Sequence, residues 1–373
     1  MSYYILPKNN NTILINPTSS EDPINVYMSN TLLNYYNEIF YHVNNAIMEI
    51  DSSYNSSYNS DDLFKIINPY EYIFSTVPGS KFSVSKLKLQ TNLFYDFLEI
   101  MSTMNILDYF KDRSVNFLNI CSNFNDTEYC LEMLREKNND KIYSFNKIND
   151  VNLILKEDPF DFIFFDSFDD TCRNNNNNYF INLIKIIMII FKQQKEKGIC
   201  IVKINHIFYK PVVDIIYLLS SLFEKIYVIK PNTSNITKFD KYIVCKGFQK
   251  NNVNLYEENF LKLYDLLINL NNKNIKSLFE YDIPYYFSNK IDELNSIIGQ
   301  QQLESIDQII SLLKNKNKQE KIENIIKLNI QKCVLWCDKF KIPCNKFTEK
   351  INIFLPNIKD LEISEVIINA NES

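Results

Sequence analysis

The sequence predicts an α/β protein built on a mostly parallel sheet with crossover helices and an antiparallel pair at one edge. Three observations carry this expectation. Short β-branched and aromatic runs recur, most of them ending on a polar residue: Asp161-Phe162-Ile163-Phe164-Phe165-Asp166, Gly198-Ile199-Cys200-Ile201-Val202-Lys203, Lys225-Ile226-Tyr227-Val228-Ile229-Lys230-Pro231, and the run 242–248. Two apolar segments long enough for crossover helices, 179–191 and 212–223, lie between the first three of them. Only residues 232–241 separate the last two runs, too few for a crossover, so these two read as an antiparallel pair at the sheet edge.

In sheets of this kind the carboxyl ends of the parallel strands open into the crevice between the covering helices, and chemistry collects there. Asp166 and Lys203 each stand at such an end. A carboxylate and an amine at the tips of successive strands meet over one crevice, either as an ordinary strand-end ion pair or as part of a site.

Taken in order, the runs 3–6 and 12–15 flank Pro7-Lys8-Asn9-Asn10-Asn11 and predict a hairpin. Leu33, Tyr36, Ile39, Phe40, Val43 and Ile47 recur at helical spacing, which predicts an amphipathic helix over 32–50 with His42 as a packing or surface residue. The Ser/Tyr/Asn-rich stretch 52–62 predicts a polar loop. A Pro78-Gly79 turn opens the segment 78–88, in which Lys81, Lys86 and Lys88 alternate with serines. Such a segment either grips a phosphate backbone through ammonium, hydroxyl and N–H groups or is a solvated connection. A helix is expected over 91–104, a first strand over 115–120 and a second over 141–145. After 248 the pattern turns to helices only, at 255–268, 283–297, 301–313 and 321–340, with Asn-rich joints such as 269–274. These predict a small bundle that packs on the sheet or offers a face to a partner protein. The parts then follow one another as an extension over 1–68, a central domain over 69–250, a helical region over 251–345 and an acidic tail over 346–373.

Composition narrows the class. A chain of 373 residues with 46% apolar content can bury a large core and exceeds what one compact unit needs. A net charge of −5 excludes binding of nucleic acid through overall charge, so any RNA contact needs a local basic patch. The 8 cysteines are scattered, with Cys200 and Cys245 inside apolar runs, as suits buried thiols in a reducing compartment such as cytoplasm or virion. Cys333, Cys337 and Cys344 have no second pair at zinc spacing and no histidine near them in sequence, so no metal site is expected. No signal peptide opens the chain; the most apolar segment, 179–191, is too short to span a bilayer and contains Lys185, so no membrane partner is expected. The bias towards Lys, Asn and Ile, with only 4 Gly, suggests an AT-rich genome.

Lys230-Pro231-Asn232-Thr233-Ser234, followed by Asp240-Lys241-Tyr242 and the run to Phe248, resembles the closing signature of FtsJ-like RNA ribose 2'-O-methyltransferases, in which Lys-Pro-x-x-Ser-Arg precedes Ser-Glu-x-Tyr and a final strand. The branch it looks like is the cap-methyltransferase-like proteins of viruses with large DNA genomes. The resemblance covers 69–248 and implies a Rossmann-like methyltransferase sheet, S-adenosyl-L-methionine as cofactor and RNA, in particular capped mRNA, as partner.

The family's catalytic Lys-Asp-Lys-Glu set then falls on Asp166 as second member, Lys203 as third and Asp240 in place of the Glu. The helix over 91–104 contains no lysine, so the first member would reach in from Lys81, Lys86 or Lys88, with Lys86 taken for the role. The resemblance sets the cofactor against Cys121, Ser122, Asn123, Asn146 and Asp166, with Asn146 where the family has a ribose-binding acid. The family's turn after the first strand is Gly-rich, because the backbone must approach the cofactor closely. Here it reads Cys121-Ser122-Asn123-Phe124-Asn125-Asp126, so an Asn in the left-handed region would have to replace Gly, with Phe124 crowding the turn. RNA would be held by Lys81, Lys86, Lys88, Lys230 and Ser234, within a basic margin that includes Lys192, Lys195, Lys197, Lys225, Lys238 and Lys241. Asn235 replaces the family's Arg, which removes a bidentate phosphate contact.

A ribose 2'-OH is a very weak acid, so its methylation calls for a neutral amine beside it, helped by a second cation that disfavours the protonated form. Two functions follow. One is an active RNA (mRNA cap) ribose 2'-O-methyltransferase, for which Asp166, Lys203 and Lys230-Pro231 speak. The other is a catalytically degenerate descendant, a pseudoenzyme serving as an RNA-binding or polymerase-, poly(A)-polymerase- or capping-complex-associated subunit, for which the Gly-free turn, the missing helix lysine and the lost Arg speak.

Overall fold

The computed structural model describes residues 3–10, 12–51, 60–89, 91–111, 113–136, 139–148, 154, 156–166, 176–250, 256–270, 273–314 and 319–345. Most of the polar loop expected at 52–62, and all of the tail expected at 346–373, lie outside these residues. The strands are β1 (Tyr3–Leu6), β2 (Thr18–Ser20), β3 (Asn116–Cys121), β4 (Lys141–Phe145), β5 (Phe160–Asp166), β6 (Gln194–Ile204), β7 (Phe223–Ile229), β8 (Lys241–Phe248) and β9 (Asn274–Ser277). The α-helices are α1 (Asn30–Asp51), α2 (Ser60–Ile67), α3 (Leu93–Thr103), α4 (Ile106–Tyr109), α5 (Phe124–Arg135), α6 (Asn176–Gln193), α7 (Lys210–Leu222), α8 (Glu257–Ile268), α9 (Tyr285–Lys314) and α10 (Gln319–Lys339). Two compact units alternate along the chain, one from 1–34, 105–231 and 239–300, the other from 35–104, 232–238 and 301 onward, where the sequence suggests consecutive segments.

The first unit is organised by a seven-stranded sheet of order β1-β7-β8-β6-β5-β3-β4. Strands β4, β3, β5 and β6 pair in parallel, and β8 runs antiparallel to both of its neighbours, β6 and β7. The α/β class and the mixed sheet with an antiparallel edge strand are therefore present. The identity of that edge differs from expectation. The run 3–6 makes no hairpin with 12–15; it pairs antiparallel with β7, from Tyr3↔Ile229 to Leu6↔Ile226. A two-stranded hairpin alone is marginal, whereas β7 offers a row of unpaired N–H and C=O groups, so β1 covers that edge and the β7–β8 pair lies inside the sheet. Ile13 and Ile15 are buried instead, and the Ile13 N–H donates to the Tyr256 hydroxyl at 3.3 Å.

Both faces of the central strands are covered, which is why β5 reads as a continuous apolar run: Phe160, Phe162, Ile163, Phe164 and Phe165 are all at most 1% exposed. Helices α6 and α7 contribute Leu183, Ile187, Ile190, Val213, Ile216 and Leu219 to the same core. Two features after 248 depart from the helical reading. Residues 274–277 form β9, which pairs with β2 as a separate two-stranded sheet. The helices expected at 283–297 and 301–313 are one continuous helix, α9. Gly299 lies between them without breaking it, at a cost of about 1 kcal/mol relative to Ala. A Cβ on Gly299 would come within 2.5 Å of Leu32 Cδ2, so the missing side chain is what lets α1 approach.

In the second unit, Trp336 packs edge-on against Tyr95 with ring centroids 5.8 Å apart, and its indole N–H donates to Glu99 at 3.3 Å. Glu99 also accepts from the Asn232 backbone N–H at 3.0 Å and its side-chain amide at 2.9 Å, while Asp96 accepts from the Thr233 hydroxyl. The helix over 93–103 thus carries two buried acids that anchor residues 232–233, where the family pattern calls for a lysine.

Candidate active site

Parallel strands put their carboxyl ends on one rim of the sheet, and antiparallel β8 brings its first residues to the same rim. Cys121 lies opposite Asp166, and Lys203 opposite Tyr242. Continuing the β5–β6 register one residue past Phe165↔Val202 sets Asp166 beside Lys203. Period-two alternation then turns Asp166, Lys203 and Tyr242 to one face, where Phe164 stacks on Tyr242 at 6.2 Å.

The side chains meet there. Lys203 Nζ donates to Asp166 Oδ2 at 3.1 Å and lies 3.8 Å from Asp240 Oδ2. The Tyr242 hydroxyl donates to the same Asp166 oxygen at 3.0 Å, and Lys203 Nζ sits 5.5 Å from the Tyr242 ring centroid. Lys230, the residue after β7, donates to the Asp240 carbonyl at 2.9 Å and approaches Asp240 Oδ1 at 3.6 Å. The four charged side chains are between 12% and 21% exposed, little enough for their charges to interact more strongly than surface pairs.

Two further groups border the cluster. Lys241 is 1% exposed, and burial, reinforced by Lys230 and opposed by Asp240, brings its pKa down to about 7. It belongs to the interior and not to the expected basic margin. The His206 ring lies against Tyr179 and Tyr209, and burial with the nearby Lys241 pushes its pKa down to about 4, so it is neutral at physiological pH.

The residues expected to face a cofactor lie at neighbouring strand tips. Cys121 is buried, its thiol donating to Asn119 Oδ1 at 3.2 Å, and burial pushes its pKa up to about 12, so it is a neutral packing group. The turn from β3 to α5 contains no left-handed residue: Asn123 has φ −121° and ψ 58°. The expectation that an Asn there imitates Gly is therefore corrected. Asn119 explains how the turn closes: its amide donates to Thr127 Oγ1 at 2.7 Å, and Thr127 in turn donates to the Phe124 carbonyl at 2.9 Å. Ser122 and Asn146 are exposed, Asn123 and Phe124 are half-buried, and the Asn123 side chain does not cap α5. The Asp126 N–H already donates to the Asn123 carbonyl at 3.2 Å, so the groups here that suit the hydroxyls of a nucleoside are the exposed Ser122 hydroxyl and the exposed Asn146 amide.

The expected RNA contacts divide. Lys81, Lys86 and Lys88 are exposed and belong to the second unit. There, Lys86 N–H donates to the Pro343 carbonyl at 2.9 Å, and the Ser83 hydroxyl donates to the Ser85 carbonyl at 2.9 Å, so backbone and serine groups of this segment are engaged internally while the ammonium groups face solvent. Ser234 is 5% exposed, and Lys230 is turned to Asp240. Sequence reading missed Tyr242 as a partner of Asp166 and Lys230 as a partner of Asp240. The spacing of Asp240 and Tyr242, i and i+2 at a strand start, was the available signal for the first. A cavity of about 560 Å³ lies elsewhere, lined by residues of α5, by Glu136 that follows it and by Asp140 and Ile142, and includes none of these groups. Among the described residues no helix is long and apolar enough to cross a membrane, and no cluster of His, Cys, Asp or Glu could hold a metal ion.

No curated protein matches the chain. Among solved structures it is similar to a ribosomal RNA methyltransferase from Plasmodium falciparum, at 18% identity over 43% of this chain and 98% of that one, with a TM-score of 0.33. It is also similar to a phosphoethanolamine N-methyltransferase 2 from Haemonchus contortus, solved with phosphomonomethylethanolamine and S-adenosylhomocysteine, at 11% identity over 41% of this chain and 38% of that one, with a TM-score of 0.27. Neither likeness is close enough to bear on substrate or mechanism. Residues 104–248, which contain the whole rim cluster from Cys121 to Tyr242, match the family of FtsJ-like methyltransferases.

Proposed function

We propose that this chain is an S-adenosylmethionine-dependent RNA ribose 2'-O-methyltransferase acting on the 5' end of mRNA. The observation that carries the reading is the Lys203 amine held between the carboxylates of Asp166 and Asp240 at the sheet rim, inside the segment that matches the family. Asp166 and Asp240 orient Lys203, and Lys203 in its neutral form accepts the proton of a ribose 2'-OH as that oxygen becomes a nucleophile. Ser122 and Asn146, exposed beside the start of α5, are the groups that would hold S-adenosylmethionine. When bound, it supplies an electrophilic methyl group. Rim residues contribute by keeping the ribose oxygen in line with that group, since displacement depends on alignment. The exposed Lys81, Lys86 and Lys88 are the candidate phosphate contacts, as a chain of net charge −5 requires a local source of positive charge.

Transfer of labelled methyl groups from S-adenosylmethionine to capped RNA by the full chain tests this. Ribose methylation is expected, with Lys203→Ala lowering the rate by at least about a hundredfold, the lower range for loss of a general base. Equal rates in the variant would remove Lys203 from the mechanism. A second reading, an RNA-binding subunit that no longer transfers methyl groups, is favoured by the β3–α5 turn, which closes through Asn119 and Thr127 with Phe124 half-buried at its head. Its signature is RNA retention with no methyl incorporation.

A further inference from the structure

Among the described residues, Lys203 pairs with the carboxylates of Asp166 and Asp240, and two carboxylates beside an amine favour its ammonium form, which cannot accept a proton. Each of these carboxylates also faces a second group, a hydroxyl for Asp166 and an ammonium for Asp240. Asp166 Oδ2 accepts from the Tyr242 hydroxyl at 3.0 Å as well as from Lys203 at 3.1 Å. Asp240 points Oδ2 towards Lys203 at 3.8 Å and Oδ1 towards Lys230 at 3.6 Å. Lys230 is fixed in that place by its 2.9 Å hydrogen bond to the Asp240 carbonyl, so the second cation is anchored to the backbone of the residue whose carboxylate it shares. Among the described residues, Cys121 and His206 beside the cluster are neutral, and Lys241 beside Lys230 has lost most of its preference for the charged form.

We propose that Lys230 is a positioning residue that takes a share of the Asp240 carboxylate, and that with Tyr242 on Asp166 it loosens both acids' hold on the Lys203 ammonium so that the amine can lose its proton. Lys230 then supplies the second cation that the sequence pattern sought in the 78–88 segment. The inference rests on the reading of Lys203 as the base, and it concerns the protonation of Lys203 itself, which is measurable without methyl transfer.

The test is competitive acetylation of the full chain across a pH series, with the extent of Lys203 modification read by mass spectrometry. Lys230→Met is expected to move the midpoint of Lys203 reactivity upward by about one pH unit, a typical shift for loss of one neighbouring charge. Lys230→Arg, which keeps the charge, is expected to leave it near the wild-type position. Asp240→Asn is expected to move the midpoint downward, and it serves where Lys230→Met fails to fold. A Lys203 midpoint that stays put or falls in Lys230→Met, or stays put in Asp240→Asn, would overturn the proposal. Midpoint shifts in a chain that methylates no RNA would leave this inference standing and remove the enzymatic reading; methylation with an unmoved midpoint would do the reverse.

Discussion

Lys241 shows how the sheet rim treats charge at the level of a single residue. Its folded pKa, near 7 against an ordinary 10.5, is depressed by burial and by Lys230. A depressed folded value means that the stability contributed by the neutral amine is present above the unfolded pKa and is lost as pH falls through the folded one. Lys241→Met should therefore gain on wild type in urea midpoint as pH falls from about 10.5 to about 7, and the gap should level off below that. A gap that does not change with pH would place the Lys241 amine in water. Asp166 and Lys203 were legible in the sequence because each ends an apolar run, and a polar residue at a strand tip is visible without knowing the fold; Asp240 was legible only through the resemblance, where it stands in place of a Glu. Tyr242 and Lys241 were not, since an aromatic and a lysine at the start of a strand look alike whether they face the crevice or the interior. Lys230 was legible as part of a signature but not as a partner of Asp240, because that contact depends on β7 and β8 being neighbours.

Among the elements, the parallel strands and their crossover helices were written plainly in alternating apolar runs. The misread pieces share one cause, which is pairing across long sequence separations. Strand β1 finds β7 more than two hundred residues away, and β2 finds β9 in the same manner, so local turn signals at Pro7–Asn11 and the Asn-rich joint at 269–274 pointed elsewhere. The β7–β8 pair, which sets Lys230 and Asp240 side by side, depends on Gly247. That residue has φ +73°, and a Cβ there would lie 2.8 Å from Glu224 Cδ. Glu224 can swing aside, but the backbone angle cannot be relieved so easily. Gly247→Ala is expected to cost about 1–2 kcal/mol in equilibrium unfolding, the strain of a left-handed non-glycine residue. An unchanged unfolding midpoint would show that β8 can relax at this position.

For the whole molecule, the family match spans 104–248, and both units contribute residues to that span, since 232–238 belong with the second unit. The two compact units alternate along the chain, an arrangement that depends on which distant segments pack together and so is not written in local sequence. A net charge of −5 gives the chain no general attraction for phosphates, so the proposed RNA contact calls for a local basic patch. The central claim is that the rim of the sheet, with Lys203 between two acids, is a methyl-transfer site, and a methyl donor must bind beside it for that to hold. Titration calorimetry of the full chain with S-adenosylmethionine tests this most directly. The account predicts saturable binding with a Kd below about 1 mM, the upper range of enzyme substrate affinities, and binding preserved in Lys203→Ala, whose amine serves the RNA hydroxyl. Absence of any saturable heat up to several millimolar, on the order of the weakest useful affinities, would contradict it.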